Sequence, residues 1–419
     1  MCQIVSIPDF LAAWKQFLLS TYPELPQTSL PADQESGPFM LKEIHEQAAV
    51  IQTCLQKCRN PAWSAASHSR SHLPSAVATD RPFELGLPDD LLLETEQIHI
   101  VACGTSRHAG LIAQYWLEQW AGLPTRVRSA SEFVAAPLPM SPRTLTIAIT
   151  QSGETADTLV AVELEIRRRS GQAISLQPCI IGVTNNPTSS LTHLVDYLLP
   201  TFAGTEVGVA ATKTFTAQLM TLLCLALELA RIRRLISKTK LERLLTALEA
   251  LPGQINTLFR TEEDRIAQLA TQLALTQNLI LLGQGSNRAI ALEGALKLKE
   301  TTYIHAEGYA AGEFLHGPIA LLEPTIPVIA IVPTDHATAS VLKTIRKVKS
   351  HGVPTIGIFT AKQVTEMAPW FDHAIVVPDT AEALSPFLKV IPLQLLAYYI
   401  AINRQLNVDR PRHITKTLT

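Results

Sequence analysis

The chain has 419 residues, with 35 Lys plus Arg against 37 Asp plus Glu, so its formal charge is only −2. That balance offers no electrostatic footprint for nucleic acid or an anionic membrane, and a hydrophobic content of 47% excludes global disorder. A length well beyond the ~100–150 residues of a usual domain predicts more than one buried core.

Met1–Leu30 carries Asp9, Lys15 and Glu24 at amphipathic spacing rather than the basic start and apolar run of an export signal, so a cytoplasmic location is expected. Phe39–Leu55 sets Met40, Ile44, Ala48, Ile51 and Leu55 at three- and four-residue intervals, which predicts an amphipathic helix. Cys54 and Cys58 share one face of it and read as core residues rather than half of a metal site. With Cys2, Cys103, Cys179 and Cys224 they form no Cys-x-x-Cys pair, and a reducing compartment fits. Asn60–Pro82 reads as a long loop. From Gln97 onward, short apolar runs alternate with longer amphipathic stretches, the signature of βαβ units and a parallel sheet. The most apolar helical stretch, Leu219–Leu229, is broken by Glu228 and stops far short of the ~20 residues a bilayer needs. Arg231, Arg233, Arg234, Lys238 and Lys240 read as the solvated face of a helix ending at Leu245.

An internal duplication governs the organisation. Ile98–Ser106 (IHIVACGTS) answers to Asn278–Ser286 (NLILLGQGS), Thr146–Thr150 to Val328–Val332, and Cys179–Thr184 to Thr355–Thr360. Val195–Leu199, opening Val-Asp-Tyr, answers to Phe371–Val376, opening Phe-Asp-His. Four strands matched in one order predict an α/β chain of two open, parallel-sheet, flavodoxin-like domains with helices on both faces. They are expected at residues 91–250 and 260–405, after a helical lead-in and irregular linker at 1–90 and before a tail at 406–419.

In such sheets ligands bind beyond the carboxyl ends of the strands, where helix N-termini converge. Gly104-Thr105-Ser106 and Thr150-Gln151-Ser152-Gly153-Glu154-Thr155 both stand at such ends. Neither holds a nucleotide-type Gly-x-x-x-x-Gly-Lys, so a hydroxyl-rich cradle for a sugar phosphate competes with simple helix capping. Farther on, Lys297 and Glu300 stand one helical turn apart, either facing a cleft or making a surface pair of little worth. His316, before Gly317-Pro318, carries an imidazole, the side chain suited to a proton shuttle, though a lone histidine is more often structural. Lys416 by itself would be a frayed terminal charge.

Together CGTS at 103–106, QSGETADT at 151–158, AGTEVGVAATK at 203–213, LEGALKLKE at 292–300, EGYAAGEFLHGP at 307–318 and DRPRHITK at 409–416 resemble the isomerase half of glutamine–fructose-6-phosphate aminotransferases, which consists of two SIS domains. The resemblance runs from about residue 38 to the C-terminus. It implies that Ser106, Thr150, Gln151, Ser152 and Thr155 hold the phosphate and that the Val209 backbone meets the sugar. It implies further that Lys416 forms a Schiff base with the open-chain ketose, its pKa lowered by burial beneath the sugar. His316 would open the ring from a neighbouring subunit of a homodimer, Glu300 would move a proton between C1 and C2, and Lys297 would accompany it. No metal or cofactor enters this scheme. The family's full synthase begins with a glutaminase domain, for which the about 38 residues before the match leave no room. The echo of its start in Met1-Cys2-Gln3 therefore does not make Cys2 a nucleophile, and nitrogen is expected from free ammonia or a separate glutaminase subunit. Three functions stay open: synthesis of glucosamine 6-phosphate from fructose 6-phosphate and ammonia, the reverse deamination, and sugar-phosphate sensing without turnover.

Overall fold

The computed structural model describes residues 38–61, 63 and 81–416. The amphipathic reading of Met1–Leu30, Cys2, and the interior of the Asn60–Pro82 loop lie outside them. The ends of that loop are pinned together: Asn60 N–H donates to Pro82 O at 2.9 Å and Glu84 N–H to Cys58 O at 2.8 Å.

The chain begins with α1 (Phe39–His45) and α2 (Gln47–Cys58), which bury Met40, Ile44, Ala48, Ile51 and Leu55 as their spacing predicts. Cys54 and Cys58 are buried with them. After α3 (Asp89–Glu94) come β1 (Gln97–Ala102), α4 (Gly104–Ala121), β2 (Thr125–Ser129), α5 (Ala130–Ala135), β3 (Thr144–Ile149), α6 (Ala156–Arg169), β4 (Ile180–Thr184) and β5 (Tyr197–Pro200). Two long helices follow, α7 (Lys213–Ile232) and α8 (Lys238–Leu273). The second half repeats the pattern with β6 (Asn278–Gly283), α9 (Ser286–Thr302), β7 (His305–Ala310), β8 (Val328–Ile331), α10 (Thr338–Lys349), β9 (Thr355–Thr360), α11 (Val364–Met367), β10 (His373–Val377) and α12 (Ser385–Asn403).

The sheet orders are β2-β1-β3-β4-β5 and β10-β9-β8-β6-β7, every pairing parallel. Counted from the first strand of each half, both are the same 2-1-3-4-5 arrangement, with the four matched strands in equivalent places. Duplication extends to a detail of chemistry. Asp196 accepts the N–H of Ile180 where β4 begins, and Asp372 that of Thr355 where β9 begins, each at 2.8 Å. Each sheet also has an edge strand, β2 or β7, that hydrophobic matching did not reveal. Both are half-exposed, so neither carries a continuous apolar run.

Between the sheets lies one continuous core to which α2, α4, α7, α8, α9 and α12 all contribute. Helices α7 and α12 are apolar on every side because neighbours enclose them on every side. Each is long and apolar enough to cross a membrane by length and composition, and 89% of each such window is buried within the fold. The helix expected at Leu219–Leu229 is thus the 20-residue α7. Glu228 does not interrupt it, because Arg81 and Arg231 pair with its carboxylate at 2.6 and 2.8 Å. Nor does the basic run 231–240 form one helical face. Arg234 sits at φ 58°, making the turn between α7 and α8, and Arg233 turns inward to the carbonyls of Ala121 and Thr95. Helix α8 then runs unbroken through the junction expected near 250–260.

Gly294 sets the depth at which α9 packs. A Cβ there would lie 2.6 Å from Leu393 Cδ1 of α12 and 2.9 Å from Leu281 Cδ2 of β6, whereas one on Gly253 of α8 would meet nothing within 4 Å. Gly294→Ala is expected to cost about 1–3 kcal/mol in urea unfolding through overpacking. Gly253→Ala should be neutral or stabilising through helix propensity. Equal effects of the two substitutions would contradict this packing.

Candidate active site

Ala102 of β1 and Ile149 of β3 are register partners, so the turns that follow them leave the sheet side by side. Helix α4 starts at Gly104, with φ 50°, and places Thr105 and Ser106 in its first turn. Gln218 of α7 donates to Ser106 Oγ at 2.9 Å. In the neighbouring turn Thr150 Oγ1 and Thr155 Oγ1 are 2.7 Å apart, and Thr150 Oγ1 accepts Gly153 N–H at 3.3 Å. Ser152 Oγ accepts Glu154 N–H at 3.1 Å. Gly153 has φ 72°, and a Cβ there would fall 1.9 Å from Ser189 Oγ, so only glycine allows the turn to close this tightly. Neither α4 nor α6 is capped by a side chain. Thr155 stands at the N-cap of α6 but turns its hydroxyl to Thr150, so simple capping does not describe it. Ser106, Thr150, Gln151, Ser152 and Thr155 thus line adjacent turns with helix N-termini behind them, an arrangement that can accept a phosphate.

From the second half, α9 brings charge to the start of α4. Lys297 is buried, so it is no surface lysine. Its Nζ lies 2.5 Å from Glu300, 3.5 Å from Glu293, and donates to Thr105 Oγ1 at 3.1 Å. Glu293, fully buried, also accepts Thr105 Oγ1 at 3.1 Å and lies 2.7 Å from His108 Nδ1. Burial works to lower the Lys297 pKa, but Glu300 and Glu293, aided by Glu206, outweigh it and hold the pKa above the ordinary lysine value. Burial works to raise that of Glu293, and Lys297 with His108 reverses it, so its pKa lies below the usual carboxylate value. The Lys297–Glu300 pair therefore faces the α4 turn across the two halves of the chain.

The tail completes the cluster. Lys416 Nζ donates to Glu206 Oε2 at 2.7 Å and to Gly208 O at 2.5 Å. Glu206 is wholly enclosed and also accepts Thr212 N–H at 2.9 Å, Thr214 N–H at 3.2 Å and Thr214 Oγ1 at 2.7 Å. Burial would raise its pKa, but Lys416 and those donors bring it below the ordinary value. Three anchors hold the tail on course. Asp409 accepts Phe39 and Met40 N–H at the start of α1, its carbonyl accepts Val209 N–H at 3.2 Å, and Arg412 lies 4.0 Å from the Tyr303 ring centroid while its N–H donates to Tyr303 Oη. Beneath the same loop, Glu43 of α1 accepts N–H from Val207 and Gly208.

Of the residues singled out from sequence, Lys297 and Glu300 are paired, Lys416 and Val209 meet on the 206–209 loop, and the five cradle residues share two adjacent turns. His316 stands apart and exposed, between the short 3₁₀ turns Glu313–Leu315 and Pro318–Leu321, joined to the cluster by no hydrogen bond or ion pair among the described residues. Sequence reasoning missed Glu43, His108, Glu206 and Glu293, and gave Thr105 no part beyond its place in the first turn. Glu206 and Glu293 lie inside quoted motifs, each beside an apolar residue, Val207 and Leu292, which was the available signal. Among the described residues no three His, Cys, Asp or Glu side chains gather as a metal-binding group.

Two parallel sheets of one topology, with convergent turns at the carboxyl ends of the first, match the SIS-domain profile at residues 91–228 and 272–404, and the chain belongs to the SIS-domain family. Within it the chain groups with the isomerase portion of the glutamine–fructose-6-phosphate aminotransferases. The enzyme of that name from Thermosynechococcus vestitus is 48% identical over 381 residues, covering 91% of this chain and 59% of that protein. The chain thus spans about three fifths of the length of such relatives. The C-terminal domain of glucosamine–fructose-6-phosphate aminotransferase from Francisella tularensis superposes with a TM-score of 0.79 at 31% identity, covering 91% of this chain and all of that one. A glucosamine-6-phosphate deaminase from Thermotoga maritima shares the fold, with a TM-score of 0.65 at 22% identity over 91% of this chain and 99% of its own.

Glu43 gives the site a pH signature. Burial, then the neighbouring Glu206 charge, lifts its pKa from 4.5 to about 7 against the pull of Val207 N–H and Lys416. The folded state therefore holds this proton more tightly than the unfolded chain, and stability falls as pH rises from about 4.5 through 7. Glu43→Gln removes this contribution, so its unfolding temperature should fall less than the wild type's between pH 5 and 7.5. Parallel pH profiles for the two proteins would exclude Glu43 as the group responsible.

Proposed function

We propose that the chain interconverts fructose 6-phosphate plus ammonia and glucosamine 6-phosphate through a Schiff base on Lys416. The observation that carries this reading is the docking of Lys416 against the enclosed Glu206, whose charge also bears on Lys297 in the α4–α9 cluster. A sensor would need only the turns.

The phosphate rests on Ser106, Thr150, Gln151, Ser152 and Thr155, which leaves the carbon chain directed toward the α4–α9 cluster. His316 donates the proton that opens the ring. Its exposure, with no hydrogen bond or ion pair joining it to the cluster among the described residues, supports donation from the second subunit of a homodimer. Lys416 then hands a proton to its partner Glu206 as its amine attacks the C2 carbonyl, water departs, and the resulting imine is an electron sink. Ammonia replaces the lysine nitrogen at C2 by transimination, releasing Lys416. Glu300 takes a proton from C1 and returns it to C2, while the C1 hydroxyl proton passes to the imine nitrogen, converting the 2-imine into a 2-amino aldose. Lys297, held by Glu293 and Glu300, fixes that carboxylate and offsets charge on the sugar oxygens. Val209 supplies a backbone contact to the sugar. The same steps run backward give deamination. Such an enzyme acts in the cytoplasm, and the ammonia comes from solution or from a glutaminase.

Two variants separate binding from chemistry. Lys416→Ala should lose at least about 100-fold in kcat for ammonium-dependent turnover of fructose 6-phosphate while retaining sugar-phosphate affinity within a few-fold. Thr155→Val should chiefly raise KM. Normal turnover by Lys416→Ala, with glucosamine 6-phosphate measured directly, would refute the Schiff-base reading.

A further inference from the structure

The duplication supplies a second cleft, and its contents differ. In the first half, Glu206 is followed seven residues later by Lys213; in the second, Glu382 is followed at the same interval by Lys389. Lys213 turns away to Glu46 at 2.6 Å, which leaves Glu206 to hold the tail lysine. Lys389 stays with its own carboxylate, 3.3 Å away, and is completely enclosed.

The Glu382 carboxylate also reaches where Glu206 does not. Glu206 folds back on the start of its own helix, whereas Glu382 extends across the turns that follow β6 and β8. One oxygen accepts Asn287 Nδ2 at 2.7 Å, at the opening of α9, and Ser385 Oγ at 3.1 Å. The other accepts both the N–H and the Oγ1 of Thr334 at 2.7 Å, in the turn after β8. Those two turns are the duplicates of the ones carrying Ser106 and Thr150–Thr155 after β1 and β3. Burial works to raise the Glu382 pKa, but Lys389 and the Thr334 donors bring it below the ordinary value, so the group is a carboxylate at neutral pH. Asp335 is the other carboxylate bearing on Lys389.

We propose that Glu382 is a built-in anion filling the second cleft, and that its removal opens a latent phosphate-monoester site on Asn287, Thr334, Ser385 and Lys389. The chain consequently binds one sugar phosphate, at the first cleft, although it carries two sheets of the same design. The equivalence of the clefts rests on the cradle assignment above, but the test compares the variant with the wild type and does not depend on it.

Inorganic phosphate is the probe, titrated calorimetrically into the full chain and followed by thermal unfolding. Glu382→Ala should bind one more phosphate per chain than the wild type. Its unfolding temperature should climb by at least about 3 °C more than the wild type's across the titration. Glu382→Ala combined with Lys389→Met should lose the additional site. If Glu382→Ala folds only when phosphate is present, that also supports the proposal. Equal stoichiometry in variant and wild type, or failure to fold in phosphate and buffer alike, would overturn it. A wild type that binds no phosphate, with the variant binding one, would discredit the cradle in the first half while leaving this proposal standing.

Discussion

A carboxylate without a partner in a protein interior is expensive, and Glu206 has no path to water. Its charge is met by donors from the start of α7 and, at 2.7 Å, by the Lys416 ammonium, thirteen residues beyond the end of α12 at Asn403. That need explains why residues 407–416, which have no regular structure, follow a fixed path past Tyr303 and α1 and bring Lys416 to the 206–209 loop. Asp409 ties the same path to the first helix. Helix α1, the loop and the tail are thereby mutually dependent, and the lysine is delivered to a place its sequence position would never suggest.

Around this contact the two halves contribute unequally. The first sheet supplies hydroxyls and uncapped helix starts, groups that bind an anion in its ground state. The second supplies α9, whose buried Lys297 is held between two carboxylates and presented to Thr105. Charge separation of this kind is preorganised: the fold has already met the desolvation cost, so the groups need little rearrangement as a substrate reacts. The duplicated sheets thus set hydroxyl-rich turns from one half against a buried lysine–carboxylate cluster from the other, in a single asymmetric arrangement.

Much of this was legible in the residues. The repeat of strand, Gly-containing turn and helix disclosed both sheets, because buried parallel strands are continuous apolar runs. The cradle turns stood out by their hydroxyls and glycines. What periodicity concealed were the edge strands β2 and β7, whose exposed faces dilute the apolar signal, and the full length of α7, whose Glu228 is neutralised by Arg81 from a distant segment. The contacts of Glu206 and Glu43 were hidden for a related reason. They depend on residues far apart in sequence, such as Lys416 and Val207, and a carboxylate's partners are a property of the fold, not of its neighbours in the chain. The resemblance identified the lysine, but not the acid that holds it.

Lys416 as the covalent residue is the point on which the proposed chemistry depends. Reduction with borohydride in the presence of fructose 6-phosphate, followed by peptide mass analysis, tests this directly. A secondary-amine adduct of the hexose phosphate on Lys416, absent without sugar and reduced by excess inorganic phosphate, is the predicted result. An adduct confined to another lysine, or turnover with no trappable adduct at any position, would contradict it.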